Sequence, residues 1–447
     1  MKTKILSILL ILVLASVFMV VACGEEEEPA PAPAPAPAPK PAPKPEPAPP
    51  PKPAKDSILI GASRPLSGPN AAIGDAALGP IMKMWQEKVN ADGGIYVEEY
   101  GKKLPIEYII YDDATDVGTM VRLTEKLILE DKVDILFSAC GTSFISAQAP
   151  IANKYGKVLL TGEGGATIMR EALYGLPYVF VSLSFSDHYE LPVFAKMCAD
   201  KGAKTAYIIA IADLHGVEYS GVAAYEFPKA GIDIIASKSV PITYTDFSLL
   251  VKEAKAANPD VLCVFAYPPI SMPVTAEAMA IDFNPPAFIV GPGGNFGYYG
   301  LAFGGDPTVV DGVCCFAVAN SKTSPEHARH FSELEALVGW PNLDWWGTPL
   351  YEPGICDVWK QAIEATGTLD QDVIRDYIAT HHFQTPLIND LYYEMAGEGG
   401  GLMAKECHAG EIGQWQNGTV EVVGGGDWPA TVITSEFVYP KPPWPKP

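Results

Sequence analysis

Between residues 57 and 294 the sequence repeats one rhythm, a short run of β-branched and aromatic residues followed by a stretch with helical spacing of apolar side chains. "SILIGAS" at 57–63 precedes a helical pattern over 76–89, "LPIEYIIYDD" one over 117–129 and "VDILFSA" one over 145–154, and "KVLLTGE" stands as a fourth strand. A second series starts near residue 204: "TAYIIAIA", a helix over 217–230, "GIDIIASKSV", a helix over 247–257, "DVLCVFAY", a helix over 274–281, and "AFIVGPGG". Strands separated by crossovers of this length pair in parallel, because only a long connection returns the chain to the same end of a sheet. Two series predict an α/β chain with two doubly wound lobes, and residues 57–447 are more than one hydrophobic core usually serves. The remainder reads as a strand at "GVCCFAV", helices over 326–338 and 350–366, and a hairpin "IGQWQNGTVEVVG" whose Asn417-Gly418 is a type I′ turn signal.

The N-terminal segment follows a different logic. Lys2 and Lys4 precede an almost unbroken apolar run from Ile5 to Val21, the pattern of a secretory signal and too short for a stop-transfer helix. Val20-Val21-Ala22-Cys23 matches a bacterial lipobox, so residues 1–22 read as a lipoprotein signal peptide and Cys23 as the lipidated residue. Residues 23–56 read as a lipid-anchored linker, because fourteen of the 42 prolines fall between 29 and 53, mostly in Ala-Pro and Lys-Pro alternation. Proline fixes φ near polyproline II, and at about 3.1 Å per residue the track reaches roughly 90 Å from a membrane. The expected location is the cell envelope, anchored and facing the extracytoplasmic side.

Acidic residues outnumber basic ones by 53 to 31, for a net charge of −22, which argues against nucleic acid and against adhesion to anionic lipid. Besides Cys23 there are seven cysteines, at 140, 198, 263, 314, 315, 356 and 407. The odd number leaves at least one free or paired with another chain, and runs such as "VLCVFAY" read as buried thiols rather than a disulfide framework. Cys314 and Cys315, adjacent in a strand, point to opposite faces and suit packing rather than redox chemistry.

In open α/β sheets ligands collect at the carboxyl ends of strands, which directs attention to "SRPLSGPNAAIG", "ACGTSFISA", "TGEGGAT", "ADLHGVEYSG", "AYPPIS" and "GPGGNFG". None carries a recognisable catalytic set. "GTSFISA" lacks the spacing of a nucleophile elbow, no phosphate-binding loop is present, and "YDDATD", with Asp112, Asp113 and Asp116, lacks the glycine and final glutamate of a calcium loop. Its acids read as helix caps. His381-His382 reads as a helix-end pair and Trp345-Trp346 as a packing element. No metal, cofactor or catalytic residue is expected, and the chain is not expected to be an enzyme.

Taken in order, "ILIGASRPLSGPNAAIGDAA", "KVNADGGI", "YDDATD", "FSACGTSFISAQAPIANKYGKVLLTGEGGAT", "TDFSLLVKEAKAANPDVLCVFAYPP", "FIVGPGG" and "QWQNG" resemble the branched-chain amino acid type of periplasmic solute-binding protein. The resemblance runs from about residue 57 to the end. It implies two Rossmann-like lobes joined by three hinge crossovers, the type I periplasmic binding fold, closing by hinge motion around a small ligand. On this chain the first lobe would hold 57–183 plus 320–405 and the second 184–319 plus 406–447.

The same resemblance implies the site. Thr142 and Ser143 in "GTS" and Ala166 and Thr167 in "GAT" would hold a ligand carboxylate, with Ser67 closing the pocket from below and His215 and Tyr267 facing it from the other lobe. Relatives place an acid after Gly-Pro in a "GPEG"-like loop to take a ligand ammonium, and here that place is Gly293. Either another acid substitutes, with Glu163, Asp187, Asp213 and Glu352 as candidates and Glu163 the first of them, or the ligand lacks an amino group. The implied function is delivery of an amino acid, carboxylate or amide to an ABC permease by a monomeric, membrane-anchored receptor. A sensor for a membrane signalling partner is the alternative, and an exported α/β enzyme the least favoured.

Overall fold

The segment Ile58–Arg64 forms strand β1, and six of its seven residues are buried, as a strand covered on both faces requires. In the computed structural model, which describes residues 54–74, 79–183, 185–427 and 430–445, β1 lies inside a seven-stranded sheet. It pairs in parallel with β4 (Ile106–Asp112) and β5 (Ile135–Phe137), with Ile58 opposite Ile106 and Ile60 opposite Ile135. A small antiparallel pair, β2 (Ile95–Val97) and β3 (Lys102–Leu104), stands apart. β6 (Leu159–Thr161) and β7 (Val179–Val181) extend the main sheet in parallel. β14 (Gly401–Met403) joins β7 in parallel and β13 (Tyr393–Met395) closes the edge antiparallel, giving the order β13-β14-β7-β6-β5-β1-β4.

The second sheet has the order β16-β15-β12-β11-β10-β8-β9. Its parallel part contains β8 (Thr205–Ile211), β9 (Asp233–Val240), β10 (Val261–Phe265), β11 (Ala287–Gly291) and β12 (Val313–Phe316). The hairpin of β15 (Ile412–Gln416) and β16 (Thr419–Gly424) adds antiparallel to β12. Asn417 and Gly418 between them have φ of 53° and 75°, both positive as a type I′ turn demands. The chain therefore crosses between the sheets three times: after β7, after β12 and after β14. The fold is the type I periplasmic binding fold with two α/β lobes.

Helices are well anticipated where a cap and an apolar stripe coincide. Val117–Leu129 starts at Asp116, whose side chain accepts from Thr119 N at 2.7 Å, so this acid of "YDDATD" is a cap. Phe247–Ala257 also falls where its periodicity places it. The stretch anticipated as one helix over 350–366 instead starts at Thr348 and widens into a π-type turn over Glu352–Asp357 before Val358–Thr366 resumes. There Gly354 O accepts from Ser182 Oγ at 2.8 Å, fastening this segment under β7.

The seven cysteines are free and buried. Cys314 and Cys315 serve the two faces of β12, each in a different apolar cluster. His381 ends the helix Gln371–Thr380 with Nδ1 3.0 Å from Tyr377 O, and His382 Nδ1 lies 2.7 Å from Asp390 Oδ1. No helix among the described residues is long and apolar enough to cross a membrane. The leader, Cys23 and the proline track lie outside the described residues, as does the start anticipated for the helix observed at Gly79–Ala91.

Trp415 on β15 joins the second sheet to the loops above it. It is fully buried, packs edge-on against Trp340 and Trp345, and donates Nε1–H to Gly294 O at 2.8 Å. Trp415→Ala is expected to destabilise the protein by about 3–5 kcal/mol in urea unfolding; a loss under about 1 kcal/mol would show that this indole is not a packing centre.

Candidate functional site

The loops at the carboxyl ends of both parallel sheets converge on one cavity. The first sheet contributes Cys140, Gly141 and Thr142 after β5, Gly162 to Ala166 after β6, and Leu183 after β7; the second contributes His215, Glu218 and Tyr219 after β8, Tyr267 after β10, and Pro292 and Phe296 after β11. Asp344, Trp346 and Gly347 come from the segment following the second crossing, and Ile73 from the loop after β1. The space between these walls, mouth included, is about 590 Å³. It is a narrow slot with mostly aromatic and apolar walls.

Glycine geometry brings the first-lobe loops together. Gly141 has φ of 99° and Gly164 of 141°, and a side chain at Gly164 would begin 2.9 Å from Thr142 N, so only glycine lets these two loops touch. Thr142 Oγ1 is buried without a hydrogen-bond partner among the described residues. Beneath the floor, Arg64 is 1% exposed. Its Nη1 lies 2.8 Å from Glu163 Oε1 and 3.3 Å from Ser138 O, and its Nη2 lies 3.0 Å from Gly74 O. Burial pushes the Glu163 carboxyl up, against the pull of Arg64 and of the Cys140 thiol beside it.

On the opposite wall three rings stack. His215 lies 5.3 Å from Tyr267 at 27° and 4.5 Å from Tyr219. Burial lowers the His215 pKa, so the ring is neutral, and its Nε2 lies 3.3 Å from Gly291 O, which places the proton on Nε2. Tyr219 donates its hydroxyl to Glu190, which also accepts Trp346 Nε1–H at 2.9 Å. Burial, and then the nearby Glu411, hold the Glu190 carboxyl well above its usual range. Asp344 accepts from Asn295 Nδ2 at 2.6 Å and from the amides of Trp346 and Gly347, both at 3.0 Å. Burial outweighs those bonds and raises its pKa to about 6.

Of the residues anticipated from sequence, Thr142, Glu163, Ala166, His215 and Tyr267 line the cavity, and Ser67, Ser143, Thr167 and Asp187 do not. Ser67 is exposed, with N and Oγ bonded to Asp112 at 3.1 and 2.6 Å. Ser143 is half-buried in the first turn of the helix Thr142–Lys154. Thr167 lies behind the wall, its Oγ1 3.0 Å from Asp187 Oδ1. Burial opposes ionisation of Asp187, but Arg170 meets both its oxygens at 2.5 and 2.9 Å and holds its pKa low. Asp213 caps Gly216 N at 3.1 Å, and Glu352 lies 3.0 Å from His330 in a separate cleft.

Glu218, Tyr219, Phe296, Asp344 and Trp346 were not anticipated. Glu218 and Tyr219 follow His215 by three and four positions in the helix Leu214–Lys229, hence share its face; that spacing was a usable signal. Trp346 had been taken as packing. Its neighbour Trp345 does pack, but Trp346 lines the cavity.

A model of the periplasmic binding protein family matches residues 57–400. The chain belongs to that family. This periplasmic binding protein is 28% identical over 253 residues to the Leu/Ile/Val-binding protein homolog 7 of Brucella melitensis, a match covering 54% of this chain and 60% of that relative's length. It is 23% identical over 341 residues to the leucine-, isoleucine-, valine-, threonine- and alanine-binding protein of Pseudomonas aeruginosa, covering 75% of this chain and 86% of the relative. Its fold is shared with a branched-chain amino acid transporter substrate-binding protein from Streptococcus pneumoniae in complex with isoleucine (TM-score 0.68, 17% identity, 83% of this chain and 100% of the other). A solute-binding protein from Rhodopseudomonas palustris in complex with benzoate gives a TM-score of 0.69 at 17% identity, covering 86% and 99%.

Two outcomes test the buried charges. Glu163→Gln strands the Arg64 guanidinium and is expected to cost about 3–5 kcal/mol, while Arg64→Met with Glu163→Gln costs less than the sum of the single changes; additive losses in urea unfolding would refute the coupling. Because folding raises the Asp344 pKa, the unfolded chain loses this proton first. Stability should therefore fall between about pH 4 and 6 by roughly 3 kcal/mol from this residue. Asp344→Asn should flatten that slope, and an unchanged slope would show that Asp344 is ionised when folded.

Proposed function

We propose that this chain is an extracytoplasmic receptor that closes around a small organic acid, an amino acid or aromatic carboxylate, and presents it to an ABC permease. The observation that carries the reading is the slot between the two sets of carboxyl-terminal loops, in a chain of the periplasmic binding protein family. The ligand carboxylate meets the unpartnered Thr142 hydroxyl and the backbone from Gly164 to Ala166. Its apolar body lies between Tyr219, Tyr267, Phe296 and Trp346. Neutral donors can surround an anion without a countercharge, and the Arg64 guanidinium beneath the floor is engaged by Glu163.

In this reading the receptor is monomeric and anchored through Cys23 by the proline-rich tether, and the lobes divide at the boundaries given above. It binds its solute without turning it over. Isoleucine bound by one fold neighbour and benzoate by another span the range of solutes to test.

Isothermal calorimetry of the folded protein against branched-chain amino acids, benzoates and short carboxylates is the test. At least one carboxylate is expected to bind in the micromolar range or tighter, and Trp346→Ala to weaken it about tenfold or more. Absence of heat with every acid would sink the reading.

A further inference from the structure

The acids near the cavity sort by what already holds them. Glu163 faces Arg64, Asp344 accepts three donors, Asp187 is clamped by Arg170, and Asp213 caps its own helix. Glu218 differs. It is 7% exposed and lines the cavity, and its Oε1 accepts from Ser186 Oγ at 2.8 Å and from Thr167 N at 3.3 Å. Its Oε2 is buried and has no hydrogen-bond partner among the described residues. The carboxyls of Asp187 and Glu190 and the Arg170 guanidinium act on it electrostatically, Arg170 being clamped to Asp187, and no basic side chain among the described residues forms an ion pair with it.

We propose that Glu218 is a specificity-determining residue whose free oxygen takes a hydrogen-bond donor carried by the solute, an ammonium or a hydroxyl group. The inference rests on the cavity being the solute site. A desolvated carboxyl oxygen left unpaired disfavours a closed complex, and a solute that brings the donor removes that penalty. Sites built to hydrogen-bond a ligand group discriminate strongly against analogues that lack it. Gly293, after β11 of the same sheet, supports the assignment. With φ of 114° and Pro268 Cγ and Ser271 Oγ only 3.1 and 3.2 Å from where a side chain would begin, that position cannot carry an acid without strain. Glu218, in the helix Leu214–Lys229, is the cavity-lining acid with a buried oxygen open and no ion pair among the described residues, whereas Glu163 is already paired with Arg64.

The test is calorimetry with two matched pairs, leucine against 4-methylpentanoate and 4-hydroxybenzoate against benzoate, on the wild-type protein and Glu218→Gln. Wild type is expected to bind the donor-bearing member of one pair about tenfold tighter or more, and the pair that shows it identifies the donor as ammonium or hydroxyl. Glu218→Gln keeps an acceptor for Ser186 and Thr167 and should bring that ratio below about threefold, with the thermal midpoint confirming a folded protein. Should that variant fail to fold, Glu218→Asp, with a shorter reach, should also lower the ratio. A wild-type protein indifferent within both pairs, or a preference that survives in the variants, overturns the assignment. If none of the four acids binds the folded wild type, the solute-site reading itself fails and this inference with it.

Discussion

A guanidinium out of water needs partners, and the two terminal nitrogens of Arg64 find them in three loops. It sits at the end of β1 and reaches Glu163 after β6, the Ser138 carbonyl after β5 and the Gly74 carbonyl in the loop after β1. These loops would otherwise diverge, because parallel strands release their connections separately. Removing either charge leaves the other without compensation in a low-dielectric floor. The cavity's first wall is thus held by a polar bond from below, which frees its upper surface to be apolar.

The opposite wall is organised differently. His215, Tyr219 and Tyr267 form a ring stack, and Glu190 at the first crossing joins Tyr219 to Trp346. Trp346 comes from the segment after the second crossing, so one buried acid couples hinge segments to two rings that a ligand would touch. A carboxyl in that position is held by a tyrosine hydroxyl and an indole N–H rather than by a cation. Such bonds can be broken and remade on opening at modest cost, which an ion pair at the same depth would not allow.

Legibility in the sequence followed burial and length. β1, β8 and β10 were visible because a strand covered on both faces must be apolar throughout, and the helix Val117–Leu129 because a capping acid and an apolar stripe coincide. β7, β13 and β14 are three residues each; β5 and β6 are as short but sit in longer apolar runs, whereas β13 and β14 carry polar or glycine positions and are held as strands by their neighbours in the sheet. The π-type turn at Glu352–Asp357 depends on Ser182, far away in sequence. The loops following strong strands were legible, which is why Thr142, Glu163, Ala166, His215 and Tyr267, anticipated from sequence, line the cavity. Asp344 and Trp346 were not, because they reach the cavity from a segment with no strand before it. Ser67 and Asp187 were drawn in by loop position alone, and each is engaged by a closer partner.

The three crossings mean that neither lobe is a continuous piece of chain. The first sheet acquires β13 and β14 only after the whole parallel part of the second has been made, and the second acquires β15 and β16 last of all. On a ribosome the first five parallel-sheet positions of the amino-terminal lobe wait with one flank of β7 open until residue 401 emerges. An exposed flank of that kind is a template for pairing with other chains. A chain cut anywhere between β12 and β14 therefore leaves both lobes unfinished.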